Sequence, residues 1–178
     1  MNSYQRGFSL IEVMVSLLIT MVGVLGMVAL QSKAIPYTQD SAQRNTAIML
    51  ADDLVEIIRS APADCTKSNS CLKAAGSEFP AAPDSCVPTP VALSAQIGCW
   101  QARAAAALPD AGSLLTSTFY ICKTATAGNV SACTTSSATN AELEILIAWK
   151  VRSAAECMAG SSSTAVGTCT YTLRTRIR

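Results

Sequence analysis

Eight cysteines, Cys65, Cys71, Cys86, Cys99, Cys122, Cys133, Cys157 and Cys169, are the residues best able to do chemistry, and all follow residue 64. Thiols can hold zinc, attack as nucleophiles or pair as disulfides. Zinc sites use close pairs such as C-x-x-C, and no spacing here has that form. The chain has no histidine, so the commonest general base and metal ligand is missing and acid–base work falls to carboxylates, lysine, tyrosine and cysteine. An even set of cysteines confined to one part of the chain fits disulfides made in an oxidising compartment, the periplasm or outside. Eight cysteines allow about 105 connectivities. Joining sequential neighbours, Cys65–Cys71, Cys86–Cys99, Cys122–Cys133 and Cys157–Cys169, gives the shortest loops.

The remaining charged groups offer little catalysis. Glu142 and Glu144 alternate on one strand face, which reads as a solvated outer face. Asp52 and Asp53 point apart around a helix and form no calcium cage. Arg174, Arg176 and Arg178 alternate along a last strand and could hold nucleic-acid phosphates, although such a row more often guards a sheet edge against pairing. Net charge is +1 and only 14% of residues are charged, so no general field recruits nucleic acid. No catalytic residue, metal or cofactor is expected, and nucleic acid is not an expected partner.

Glu12 is a different case. It is the single ionisable side chain between Phe8 and Leu30, a run long enough to cross a bilayer as a helix at about 1.5 Å per residue. A carboxylate inside such a segment costs about 2.5–3.5 kcal/mol when central and is functional by default; the competing reading is a side chain that snorkels to the interface. Ser9, Glu12, Ser16, Thr20 and Gly23 fall within about 80° of helical arc. Such a stripe suits close helix contact, because helices in lipid associate through small residues and interhelical hydrogen bonds; alternatively each hydroxyl bonds its own backbone. Arg6 is the one charged side chain ahead of the run, which puts the start of the chain in the cytoplasm and the cysteine-rich part outside. No small-residue cleavage site follows the run, so it should stay with the protein.

The segment Arg6-Gly7-Phe8-Ser9-Leu10-Ile11-Glu12-Val13 resembles the class III signal of type IV prepilins and pseudopilins: a basic leader, a Gly before the cut, an aromatic after it, and a Glu at the fifth mature position. The resemblance implies that a prepilin peptidase cuts after Gly7 and methylates the new amine of Phe8. It also implies that Glu12 neutralises the terminal amine of a neighbouring subunit, with Ser9, Ser16, Thr20 and Gly23 at the helix contact. Expected partners are other minor and major pilins, the peptidase, the inner-membrane assembly platform, and membrane lipid before assembly.

These residues need an architecture to position them. Residues 1–7 form the cleaved leader, 8–35 the transmembrane and filament-core half of a helix, and 36–178 an external head that includes the helix's amphipathic half. Pro36 should kink the helix. Beyond Asp40, the residues Ala47, Leu50, Ala51, Leu54, Ile57, Ile58 and Ala61 share one face, and the helix should stop before Pro62. Five prolines between 62 and 92 predict an irregular loop. A second helix is expected over 93–108 with Trp100 in the core, and strands over 113–122, 142–152 and 168–177. The fold class is α+β: a long N-terminal helix packed on a small antiparallel sheet, with a disulfide-stapled head.

The order of a short Trp-bearing helix ahead of strands, residues 93–152, is similar to the PilV type of minor pilin. That resemblance implies a low-abundance subunit that primes or caps a type IV pilus, supporting adhesion and twitching motility. A type II secretion pseudopilin shares the leader, and some pilins of the family bind DNA during uptake. A membrane-tethered periplasmic enzyme would need converging ionisable groups that the sequence does not offer.

Overall fold

Leucine, isoleucine, valine and methionine in an almost uncharged run, followed by an amphipathic stretch, make one long helix. The structure, a computed structural model, describes residues 9–62, 65, 71–128, 142–157 and 167–176, with Lys33 and Ala155 described for their backbone alone. Helix α1 spans Leu10–Ser60, with Glu12 in its first turn, Arg59 in its last and Pro36 inside it. Both charges suit the helix dipole. The helix continues through Pro36 and stops two residues before Pro62, where the residue preceding a proline is driven out of the α region. The chain divides into two compact units, residues 1–39 and 40–178.

In the first unit the large apolar side chains from Leu10 to Leu30 are exposed. This stretch is long and apolar enough to cross a membrane.

The second unit is a helix-and-sheet head. From α1 it takes the face Ala47, Leu50, Ala51, Leu54, Val55 and Ile58, all buried, while Asp52, Glu56 and Arg59 are exposed. Helix α2, Leu93–Ala107, buries Leu93, Ile97, Trp100 and Ala104 at helical spacing and ends where Leu108 turns extended ahead of Pro109. Its Gly98 leaves room for the chain alongside: a Cβ there would lie 2.5 Å from the Ala81 carbonyl oxygen. Strands β1 (Tyr120–Thr124), β2 (Glu142–Lys150) and β3 (Thr168–Thr175) form an antiparallel sheet in that order. One face presents the cross-strand row Ile121, Ile145 and Leu173 to the core shared with α1 and α2. The fold is therefore α+β, with the C-terminal part of α1 and the sheet closing one core.

Trp100 anchors that core. Its Nε1 donates to the Leu50 carbonyl of α1 at 2.8 Å, and its ring lies with Phe79 and Phe119 at centroid distances of 5.8 and 6.5 Å. Each pair adds about 0.5–1.5 kcal/mol beyond area burial. Disulfides join Cys65 to Cys71, Cys86 to Cys99 and Cys157 to Cys169. The second pins the proline-rich segment to α2 and the third ties the chain after β2 to β3. Cys122 is also disulfide-bonded; the expected Cys122–Cys133 pair lies outside the described residues because Cys133 does.

The strand boundaries need correction: the strand expected over 142–152 ends at Lys150, and Val151 and Arg152 lie beyond the ladder. The strand expected over 113–122 begins at Tyr120, because Asp110 takes a left-handed conformation (φ 49°) and opens a 3-10 turn over Ala111–Leu114, followed by further turns. The last strand, expected to reach 177, ends at Thr175; Arg176 follows it, and residues 177–178 lie outside the described residues.

Candidate functional site

Two places hold the ionisable groups singled out in the sequence for a site: the start of α1 and the sheet. At the start of α1, the Ser9 carbonyl accepts from the amides of Glu12 (3.0 Å) and Val13 (3.3 Å) and so closes the first turn. Glu12 and the apolar side chains after it are exposed. Ser16 Oγ donates to Val13 O at 2.8 Å and Thr20 Oγ1 to Leu17 O at 2.9 Å. The Ser16 and Thr20 hydroxyl protons are thus spent within the helix, which leaves small size and oxygen lone pairs to offer a neighbour. A Cβ on Gly23 would meet nothing within 4 Å. Gly7 and Phe8, the expected cleavage and methylation positions, lie outside the described residues.

The second place is the outward face of the sheet, where the solvated reading of Glu144 fails. Its side chain is 1% exposed. The Tyr120 hydroxyl donates to its Oε1 at 2.6 Å, the Gly128 amide reaches both oxygens at 3.0 and 3.2 Å, and Arg174 Nε lies 3.3 Å from Oε2. A buried carboxylate persists only when paired and hydrogen-bonded in this way. Arg174 also lies 3.3 Å from Glu142, which takes Arg176 at the same distance. Two of the three arginines considered for phosphate binding are therefore matched by two carboxylates; Arg178 lies outside the described residues. Burial, then the Glu144 carboxylate beside it, pushes the Tyr120 phenol well above its ordinary pKa. Tyr120 is a fixed donor and not a base.

Sequence reasoning missed Lys73, which is 4% exposed. Its Nζ donates to the carbonyls of Leu115 (2.6 Å), Thr116 (3.0 Å) and Phe119 (2.6 Å) and lies 5.0 Å from the Phe79 ring centre. Its backbone pairs with Ile121 on the edge of β1. Burial lowers the ammonium pKa to about 8. Enclosed by carbonyls, Lys73 clamps the turn ahead of β1. The only advance signal was a lysine flanked by apolar residues within a loop.

Among the described residues, no cluster of three or more His, Cys, Asp or Glu could hold a metal. The arrangement suits a scaffold: an apolar helix bearing one carboxylate, and a head fixed by disulfides and internal ion pairs.

Comparison with known families agrees. The prokaryotic N-terminal methylation motif matches residues 2–28, and the type IV pilin Tt1218 family matches residues 29–107. No curated protein and no solved structure matched the chain. The two adjoining matches imply processing by a prepilin peptidase and assembly with other pilins. With its apolar helix running into a helix-on-sheet head, the chain belongs to the type IV pilin-like family as a pilin-type structural subunit.

Proposed function

We propose that this subunit is a minor pilin of a type IV pilus: cut after Gly7, methylated on Phe8, held in the inner membrane with its head in the periplasm, and then drawn into a fibre that it primes or caps. Adhesion and twitching motility follow from that place in the pilus, and the likeness of residues 93–152 to the PilV type favours a minor over a major subunit. The carrying observation is Glu12, one carboxylate in the first turn of a helix otherwise apolar to Leu30. In the fibre it pairs with the cationic terminal amine of a neighbour, while Ser9, Ser16, Thr20 and Gly23 let the helices approach. Losing one partner of a desolvated pair costs about 3–5 kcal/mol. That penalty enforces the stagger between subunits.

Glu12→Leu should insert and be processed normally, yet its recovery in sheared filaments should fall about a hundredfold or more. Normal recovery would remove the pairing role. Mass spectrometry of the mature chain should find methylated Phe8 at the N-terminus; an intact Met1 would contradict the processing step. Retrieval of type II secretion components instead of pilus subunits by the full chain would reassign it as a pseudopilin.

A further inference from the structure

The described disulfides differ in what can reach them. Cys65–Cys71 lies in the core and Cys169 is buried on β3 opposite Trp149, so a reagent meets those two pairs only after local opening. The third pair is different: Cys99 is buried in α2, whereas Cys86 is exposed within residues 81–92, none of which belongs to the apolar core. Exchange needs a thiolate to reach one sulfur on the side away from the other. With Cys99 buried and Cys86 exposed, that approach is open at Cys86. The segment is also held without the bond. Gln96 Nε2 donates to the Pro90 carbonyl at 2.8 Å, and the Ala81 backbone packs closely on Gly98. Ser85 Oγ donates to the Val87 carbonyl at 2.8 Å and accepts from its amide at 3.2 Å, which fixes the turn around Cys86.

We infer that Cys86–Cys99 is the thiol-exchange site of the head, opened and reclosed by a protein dithiol while the core stays folded. A thiolate of the dithiol attacks Cys86 Sγ and forms a mixed disulfide, and Cys99 leaves as a thiolate that takes up a proton. The partner's second thiol then attacks its own sulfur in the mixed disulfide and releases Cys86 as a thiol. Two electrons and two protons pass from the dithiol, which departs as a disulfide, and the reverse sequence recloses the pair. The flanks of Cys86 point to a protein as the reagent. Val87 is 83% and Val91 99% exposed, so two bare apolar side chains stand within five residues of the reactive sulfur. A partner's surface can grip them, and a small thiol gains nothing from them. The use of such a site lies in folding: eight cysteines allow about 105 connectivities, and a pair reachable from outside can still be corrected once the core has closed.

The test treats the mature full-length chain in detergent with dithiothreitol or reduced thioredoxin, quenches with iodoacetamide and maps alkylation by peptide mass spectrometry. Cys86 and Cys99 should be alkylated together, at a rate proportional to dithiol and about tenfold or more faster than Cys65, Cys71, Cys157 and Cys169. The near-ultraviolet circular dichroism of the buried tryptophans should persist meanwhile. Thioredoxin whose second active-site cysteine is replaced by serine should be trapped on Cys86. Val87→Ser combined with Val91→Ser, at exposed positions where folding is secure, should slow the thioredoxin reaction about fivefold or more and leave the dithiothreitol reaction unchanged. Equal alkylation rates for the three pairs, a rate independent of dithiol, trapping on Cys99, or loss of the dichroism in step with reduction would overturn the site. A double variant that reacts with thioredoxin as fast as the parent, or that slows both reagents alike, would overturn recognition by a protein.

Discussion

The first unit and the head solve opposite problems with the same few ionisable residue types. In residues 10–39 the apolar side chains stay exposed and Glu12 stands in the first turn of that apolar run. In the head the apolar core side chains are buried, and Glu144, a carboxylate whose burial is costly in itself, finds a phenol, an amide and a guanidinium within its own chain. One carboxylate is satisfied by folding; the other, in the role proposed for it, is matched by a second molecule. A charge left to be matched between chains encodes assembly, and one matched within a chain encodes stability.

Breaking the two carboxylates should therefore give opposite phenotypes. The larger effect is the one expected of Glu12→Leu: loss of filament recovery with unchanged melting of the head. Glu144→Ala should instead destabilise the head by about 3 kcal/mol, because the Tyr120 hydroxyl, the Gly128 amide and part of Arg174 lose their acceptor in a buried setting. The value lies at the low end of the range because Arg174 keeps Glu142 at 3.3 Å. Chemical denaturation of the purified chain in detergent measures it. A Glu144→Ala head as stable as the parent would erase the contrast between the two sites.

How far the sequence revealed these sites follows the same division. The N-terminal methylation motif and the place of Glu12 in an apolar helix were legible because they are local: a short motif and a charge in an apolar run need no tertiary context. The buried face of α1, the Trp100 helix and the start and inward face of β2 were legible from periodicity, which reports one face at a time. Glu144 was not. Period two correctly placed it on the face opposite Ile145, but no strand pattern reveals that the Tyr120 hydroxyl and the Gly128 amide reach its carboxylate. Lys73 was hidden for a related reason, since its partners are backbone carbonyls 42 to 46 residues away and carbonyls leave no mark on sequence. The late start of β1 depended on the left-handed Asp110, a conformation that its residue type tolerates but does not dictate.

Lys73 sharpens the comparison through pH. Its folded pKa, about 8, lies below the ordinary 10.5, so above pH 7 the unfolded chain holds the proton more tightly. Stability contributed by this group therefore rises with pH through 8 and levels off near 10.5. The head should gain about 1 kcal/mol between pH 7.5 and 9. Lys123, also lowered by burial, acts in the same direction, and Tyr120 acts oppositely only near pH 10 and above, where the unfolded phenol ionises. Replacing Lys73 by Met should flatten most of the slope between pH 7.5 and 9 and lower stability overall, since three carbonyls lose their donor. Filament recovery through Glu12 should not follow this titration; a parallel pH dependence would mean that the two regions are coupled.

The finest distinction lies within the core. Trp100 and Trp149 are both fully buried, yet Trp100 Nε1 donates to Leu50 O at 2.8 Å, whereas Trp149 Nε1 has no partner among the described residues. Phenylalanine removes the indole N–H along with part of the ring, so both substitutions lose packing, but only Trp100→Phe also loses a hydrogen bond that joins α2 to α1. Trp100→Phe should cost about 1 kcal/mol more than Trp149→Phe, the ordinary net worth of one such bond, and Trp149→Phe also relieves a desolvated donor. Thermal denaturation followed by near-ultraviolet circular dichroism separates the two. Equal losses would show that ring volume alone holds the head, and that the hydrogen bond to α1 adds nothing to the packing around it.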